Sequence, residues 1–170
     1  MTSTGTLTGE RADLVEALDA HRAFLRFTVR GLTDEQATQR TTASELTLAG
    51  LIKHVAHTEA TWADFAVRGS GAFGMDNWSP EAWAAEWRLG PGETLAGVLA
   101  EYEEIARRTD ELAATLDLDA SFPLPQAPWF EPGASRSVRR TLLHIIAETS
   151  QHAGHADILR ESIDGQKTMG

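Results

Sequence analysis

The C-terminal part of the sequence carries a row of polar side chains that could bind a metal. Three histidines and one glutamate follow one another at steps of four, four and three residues: His144, Glu148, His152 and His155. At about 100° per residue they share an arc of roughly 80° on one face of a helix. Imidazole and carboxylate groups are ligands for Zn, Ni, Fe(II) and Mn. Glu148 and His152 lie nearest to the apolar stripe of this helix, so we expect these two to point inward together.

Two further histidines, His54 and His57, lie on an earlier segment with helical periodicity. In projection His54 lies about 20° from the apolar Phe65, whereas His57 is rotated about 60° further from that face. His54 is therefore the inward histidine of this helix. If a bundle brings the two helices together, His54, Glu148 and His152 could meet as two imidazoles and one carboxylate, with open positions for water or substrate.

A structural role is the alternative for the same residues. Glu and His four residues apart also stabilise an exposed helix as an ionic or hydrogen-bonded pair, and several histidines on one ridge can simply be solvated. Burying a carboxylate and two imidazoles without a partner would be costly, which favours a metal. The residues alone leave both interpretations open.

The remaining histidines have less defined roles. His21 lies in the apolar stripe of the first helix, where it is either a hydrogen-bonded core residue or a residue that lines a substrate pocket. His57 and His144 occupy outer positions. There they could support a metal ligand or be solvated. His155 could support a metal ligand or, like His57, carry a proton during catalysis, because histidine titrates near neutral pH.

The composition excludes several classes of site and partner. The chain of 170 residues contains no cysteine, so disulfides, zinc–thiolate sites and cysteine nucleophiles are ruled out. Its 25 acidic residues outnumber its 15 lysines and arginines, and the net charge of -10 argues against a nucleic-acid surface. No apolar run approaches the roughly 20 residues of a membrane span, and the N-terminus does not resemble a signal peptide. We expect a cytoplasmic protein that acts on a small molecule, with neither nucleic acid nor membrane as a partner.

The elements that must position these residues are helices. Apolar residues recur at alternating steps of three and four, which predicts four long helices, over residues 10–31, 47–68, 93–116 and 137–162. Because each helix has a single apolar stripe that needs partners, we expect an all-α, up-and-down four-helix bundle. It should form one domain over residues 1–170, with a flexible arm at 1–9 and a flexible tail at 164–170.

The connections between the long helices contain short helices and one long loop. A capping box that starts at Thr33 predicts one short helix, and Ser79-Pro80 predicts another that carries Trp83 and Trp87. Four prolines interrupt residues 117–136, which predicts a long loop before the last helix. No segment shows the alternation of a strand.

Aromatic residues of the helices and connections could shape a pocket beside the metal. The candidates are Trp62, Trp129 and Phe130, together with Trp78, Trp83 and Trp87. Loop aromatics also commonly cap the core of a bundle, so both roles stay open. Several arginines could bind an anionic ligand or remain solvated: Arg26, Arg30, Arg107, Arg108, Arg136, Arg139 and Arg140.

Four stretches of the chain resemble the DinB/YfiT-like metalloenzymes, in the actinobacterial branch related to mycothiol-dependent maleylpyruvate isomerase. The main ones are Thr-Leu-Ala-Gly-Leu-Ile-Lys-His-Val-Ala at 47–56 and Glu-Thr-Ser-Gln-His-Ala-Gly-His-Ala-Asp at 148–157; residues 31–36 and 139–144 are also similar. Many members of this family use three histidines, and here Glu148 stands in place of one of them, as in the His, Glu, His set of the isomerase branch. The resemblance implies a four-helix bundle with His54, Glu148 and His152 as metal ligands.

The resemblance also implies an activity. It points to a divalent metal, Zn or Ni first, that holds mycothiol or another low-molecular-weight thiol as a thiolate, in a thiol transferase or thiol-dependent isomerase. A hydrolase that uses the same metal to activate water is one alternative. A non-enzymatic bundle that binds a small ligand or dimerises is another, and a homodimer is compatible with each of these activities.

Overall fold

A computed structural model describes residues 7–74 and 79–168 and is mostly helical. In chain order the elements are α1 (Glu10–Phe27), α2 (Asp34–Ala37), α3 (Leu48–Arg68), a 3₁₀ helix (Gly69–Phe73), α4 (Pro80–Ala85), α5 (Leu95–Thr115), β1 (Ser121–Pro123), β2 (Ser135–Ser137) and α6 (Val138–Asp164). The four long helices and both short ones occur where the sequence predicts them, so the all-α bundle is confirmed. Of the residues singled out in the sequence, Trp78 lies outside the described part of the chain. No described helix is long and apolar enough to cross a membrane.

Hydroxyl side chains start the long helices α3, α5 and α6. Thr47, Thr94 and Ser137 each accept a hydrogen bond from the backbone N–H three residues further on, which satisfies a donor that the helix itself cannot pair. α1 has no such cap at its start, and it ends at Phe27, four residues before the expected boundary. Just after this end, Nη1 of Arg160 on α6 donates to the carbonyls of Thr28 and Arg30, each at 2.9 Å.

The packing of the helices decides which side chains can meet. α1 packs on α6 and on α5, and α3 packs on α5 and on α6. The first two long helices, α1 and α3, therefore lie at opposite corners of the bundle, and so do the last two, α5 and α6. The connection within each pair crosses an end of the bundle. Because α3 and α6 are neighbours, His54 and His152 face the same part of the interior.

A polar layer divides the core into two apolar clusters. One contains Leu25 and Val55, and the other contains Leu18 and Trp62. Arg22 of α1 and Glu59 of α3 lie between them, 2% and 1% exposed. His152 lies at a corresponding level of α6, between Ile145 of the second cluster and Ala156 of the first.

The long connection over residues 117–136 is present, but it contains a short ladder where the sequence predicts no strand. β1 and β2 pair antiparallel, with Phe122 opposite Arg136 and Ser121 opposite Ser137. Three residues are too few for a period of two to appear in the sequence. In the second connection, α4 ends before Trp87, which the sequence had placed on that helix.

Candidate metal centre

Three side chains of α3 and α6 converge inside the bundle. His54, Glu148 and His152 each offer one ligand atom, and these atoms all lie within 4.8 Å of one another. Oε2 of Glu148 is 3.6 Å from Nε2 of His152, which is longer than a hydrogen bond. The packing of α3 against α6 therefore brings together two imidazoles and one carboxylate around a common space, as the sequence predicts.

Burial and charge favour, in His54 and Glu148, the protonation states that a metal requires. His54 is 8% exposed, and burial, helped by the neighbouring His152, lowers its pKa to about 4. The interaction with His152 and the charge of His144 lower the pKa of Glu148 against the opposing effect of its burial. A neutral imidazole and an ionised carboxylate are metal ligands, so the donor set fits a divalent cation.

The indole of Trp87 covers this cluster from the connection that follows α4. Its ring stacks on the imidazole of His54, with centroids 3.7 Å apart, and contacts His152 edge-on at 5.8 Å. The backbone of Trp87 fits against Gly50 of α3: a Cβ atom at position 50 would lie 1.9 Å from the carbonyl oxygen of Trp87. Glycine at this position thus permits the close approach that seats the indole on His54.

His155 lies behind His152 and not over the common space. Its Nδ1 is 3.4 Å from Nδ1 of His152, so one of the two rings donates to the other. The Nε2 atom of His152 remains turned toward Glu148. This arrangement orients His152, as the hydrogen-bond partners of metal-binding histidines commonly do.

His57 lies one turn after His54 and is held between two carboxylates. Its Nδ1 is 2.5 Å from Oε2 of Glu86, and its Nε2 is 3.7 Å from Oε1 of Glu101. The side chain is one-third exposed. His57 thus lies beside the cluster and in contact with solvent.

The other residues that the sequence suggested for a pocket lie at different positions in the bundle. Trp62 is buried in the core and contacts the rings of Phe130 and His144. Trp129 is 66% exposed and packs only its edge on Phe130, so it does not cap the core. His21 is half-buried beside Phe24 and forms no described hydrogen bond, which contradicts the expectation of a hydrogen-bonded core histidine.

The buried charged residue of α1 is Arg22, which the sequence reading missed. Its Nη2 donates to Oε1 of Glu59 at 2.6 Å and its Nη1 to Asp110 at 2.8 Å. Arg22 stands between Leu18 and Leu25, and Glu59 stands between Val55 and Trp62, each within an apolar stripe. Two opposite charges within the stripes of two helices were the signal for this pair.

Two cavities lie away from the cluster of His54, Glu148 and His152. One of about 620 Å³ lies between the end of α1 and the start of α5, and one of about 500 Å³ lies within the proline-rich connection. Neither is lined by the three converging residues. We place the functional site at the cluster because its donor set has a defined chemistry, whereas an apolar cavity by itself has none.

A helical bundle with a His, Glu, His cluster between two of its helices belongs to the class of bundle proteins that can hold a metal in their interior. The chain is a member of the mycothiol S-transferase family, whose model matches residues 13–165. A solved structure described as a conserved protein from Enterococcus faecalis has a TM-score of 0.66 to it at 13% identity, over 94% of this chain and 100% of the other. At this identity the likeness shows the fold alone. No curated protein matches the chain.

Proposed function

We propose that this protein is a metal-dependent transferase that joins a small thiol of the mycothiol type to an electrophilic acceptor. The observation that carries the proposal is the cluster of His54, Glu148 and His152 in a chain of the mycothiol S-transferase family. Zn or Ni suits a site of two imidazoles and one carboxylate. Since the chain has no cysteine, the reacting sulfur has to come from the cosubstrate.

The side chains of the site would have different roles in the reaction. His54, Glu148 and His152 would hold the cation, and a bound divalent cation lowers the pKa of a thiol and favours its thiolate. Trp87 and His155 keep the two imidazoles in place. When the sulfur forms its bond to an electrophilic carbon, the electron pair of a C=C or carbon–leaving-group bond moves onto the displaced atom, which takes up a proton in return. Until then, the proton that the thiol loses on becoming a thiolate needs an acceptor.

His57 is our candidate for that acceptor. Glu86 holds its ring through Nδ1, and the charges of both residues reach His54. The proton would pass from the thiol to His57 and then to the acceptor or to solvent. His155, which the sequence offered as a second proton carrier, is better placed to orient His152.

The first experiment measures the metal. Protein purified without chelator or metal-affinity resin should contain close to one Zn or Ni ion per chain. His54→Ala and Glu148→Ala should each lower metal affinity by more than the roughly tenfold to 100-fold effect of losing a supporting residue. His21→Ala is the matched control, since this histidine contacts Phe24 instead of the cluster. A metal-free wild type, or unchanged affinity in both ligand variants, would overturn the proposal.

The second experiment separates transfer from hydrolysis. An electrophile is incubated with metal-loaded protein, with and without mycothiol, and the product is identified by mass. A thiol adduct supports the transferase, whereas turnover that does not depend on the thiol would assign the metal to the activation of water.

Location and assembly remain proposals. A small-thiol pool is kept reduced inside cells, which favours the cytoplasm as the site of action. A homodimer would bury large apolar side chains of the outer surface, such as Phe24 and Ile158, which are 41% and 61% exposed. Sedimentation velocity would distinguish a dimer from a monomer.

A further inference from the structure

Hydrogen bonds order the backbone at Arg136 and at the residue that follows it. It lies on β2, where its backbone pairs with Phe122 of β1. The next residue, Ser137, caps α6 through a hydrogen bond from the N–H of Arg140. The backbone at Arg136 is therefore already ordered, so only the freedom of the side chain itself is lost when the guanidinium is held in place.

The guanidinium group of Arg136 lies on aromatic rings and not on a carboxylate. Its central carbon is 4.6 Å from the ring centroid of Trp62 and 5.5 Å from that of Phe130. Within residues 7–74 and 79–168, its buried Nη1 atom has no hydrogen-bond partner. By contrast, Arg139, three residues later, pairs with Glu10 and Asp119.

An unpartnered guanidinium nitrogen is costly to bury. The aromatic faces compensate part of the lost hydration through cation–π contacts, but they accept no N–H···O bond. Burial, with help from the charge of Arg140, lowers the pKa of Arg136 below its ordinary value. An anion that accepts from the accessible part of this half-buried guanidinium would compensate its charge.

Arg136 is connected to the cluster of His54, Glu148 and His152 through Trp62 and His144. The ring of Trp62 contacts both the guanidinium and the imidazole of His144, the latter with centroids 4.6 Å apart. Nε2 of His144 is in turn 3.7 Å from Oε1 of Glu148. A continuous series of contacts thus leads from Arg136 to one of the proposed ligands. In a chain of net charge -10, Arg136 and Arg140 make this end of α6 locally positive.

We propose that Arg136 binds a carboxylate of the acceptor substrate, with the half-buried ring of Phe130 contacting a flat unsaturated or aromatic group next to it. This inference rests on the proposed transferase function and specifies its substrate class: an anionic electrophile. A guanidinium can donate two parallel hydrogen bonds to a carboxylate, and aromatic rings favour stacked or edge-on contacts with a flat group. The carboxylate end would be held at Arg136 while the electrophilic carbon extends toward the cluster.

The test uses benzoate as the probe and benzamide as its uncharged counterpart. Both are titrated into the full-length, metal-free protein, so that the carboxylate has no cation to bind, and binding is followed by the NMR signals of the Trp62 indole N–H and the Arg136 Nε–H. We expect saturable binding of benzoate and at least about tenfold weaker binding of benzamide.

Variants separate the guanidinium from the general fold. Arg136→Gln should weaken benzoate binding at least about tenfold, and Arg136→Lys should restore part of it because the charge is kept without the paired donors. Arg107→Gln is the control, since Arg107 is exposed on α5 and, among the described residues, pairs with Glu104 and Glu111. Thermal unfolding shows whether each variant is folded. If Arg136→Gln does not fold, the comparison of benzoate with benzamide and the Arg136→Lys variant still decide the question.

The outcomes distinguish this inference from the proposed function. Equal binding of benzoate and benzamide, or wild-type benzoate affinity in folded Arg136→Gln, would overturn the inference and leave the metal and thiol assays unaffected. Benzoate binding that depends on Arg136, in a protein that takes up no metal, would support the anion site and reject the transferase.

Discussion

Gly50→Ala tests whether the seating of Trp87 controls the metal centre. A Cβ atom at position 50 would lie 1.9 Å from the carbonyl oxygen and 2.6 Å from the carbonyl carbon of Trp87, whereas real Cβ atoms essentially never approach closer than 3.0 Å. The carbonyl therefore has to retreat by about 1 Å or more. Because the obstructing atoms belong to the backbone, no rotation of a side chain relieves the clash.

Two effects should follow from this displacement. Overpacking of this kind costs about 1–3 kcal/mol of the free energy of unfolding. The indole, now 3.7 Å from the His54 ring between centroids, would lose its stacked position, so His54 would be less well oriented. Loss of a group that orients a ligand typically lowers metal affinity by about tenfold to 100-fold.

The chain contains a matched control for this substitution. Gly97 follows Thr94 at the start of α5 in the same Thr-Leu-Ala-Gly sequence that precedes His54, and its Cβ atom would meet only Oγ1 of Thr94, at 3.2 Å. Gly97→Ala should therefore keep wild-type metal affinity. Zinc affinity is measured by competition with a chelating dye, and stability by urea unfolding of the metal-free proteins. Wild-type affinity in Gly50→Ala, or an equal loss in Gly97→Ala, would refute the reasoning.

Three further perturbations test the charges and contacts around the site. In metal-free protein the pKa of His54 is about 4 in the folded state against 6.5 in the unfolded chain, so as pH falls from 6.5 to 4 the unfolded chain gains a proton that the folded chain does not. Protonation of His54 in the unfolded chain should lower the free energy of unfolding by up to about 3 kcal/mol over this range. In urea unfolding, wild type should therefore lose more stability than His54→Gln as the pH falls, and parallel pH profiles of the two proteins would contradict this. Arg22→Met leaves Glu59 buried without its main partner and should cost about 3–5 kcal/mol in chemical denaturation; a loss below about 1 kcal/mol would mean that Asp110 and water compensate fully. His155→Ala should weaken metal binding about tenfold with little change in stability, and unaltered zinc affinity would remove His155 as the support of His152.

The helices and the converging ligands could be predicted because they depend on periodicity. Spacing of three and four residues marks the stripe of each helix, and side chains that border the stripe have to face a neighbour. The same projection placed His54 inward of His57 and Glu148 beside His152. The structure agrees with both orientations.

Other features depend on contacts that spacing does not encode. The stacking of Trp87 requires a connection to fold back over Gly50, and the pairing of Phe122 with Arg136 joins two three-residue segments. His21 shows the limit of the stripe argument itself. It lies in the apolar stripe of α1, as Arg22 does, but the carboxylate of Glu59 across the core favours burial of the arginine.

The contact between Trp87 and His54 has a practical consequence. An indole stacked on an imidazole changes its fluorescence when that imidazole acquires a cation, and a paramagnetic ion such as Ni(II) quenches indole emission whereas Zn(II) does not. Trp87 is thus an intrinsic fluorescent reporter of metal binding, because its ring centroid lies 3.7 Å from that of His54. Titration of the unlabelled chain could then report both whether the centre is filled and which of the two ions fills it.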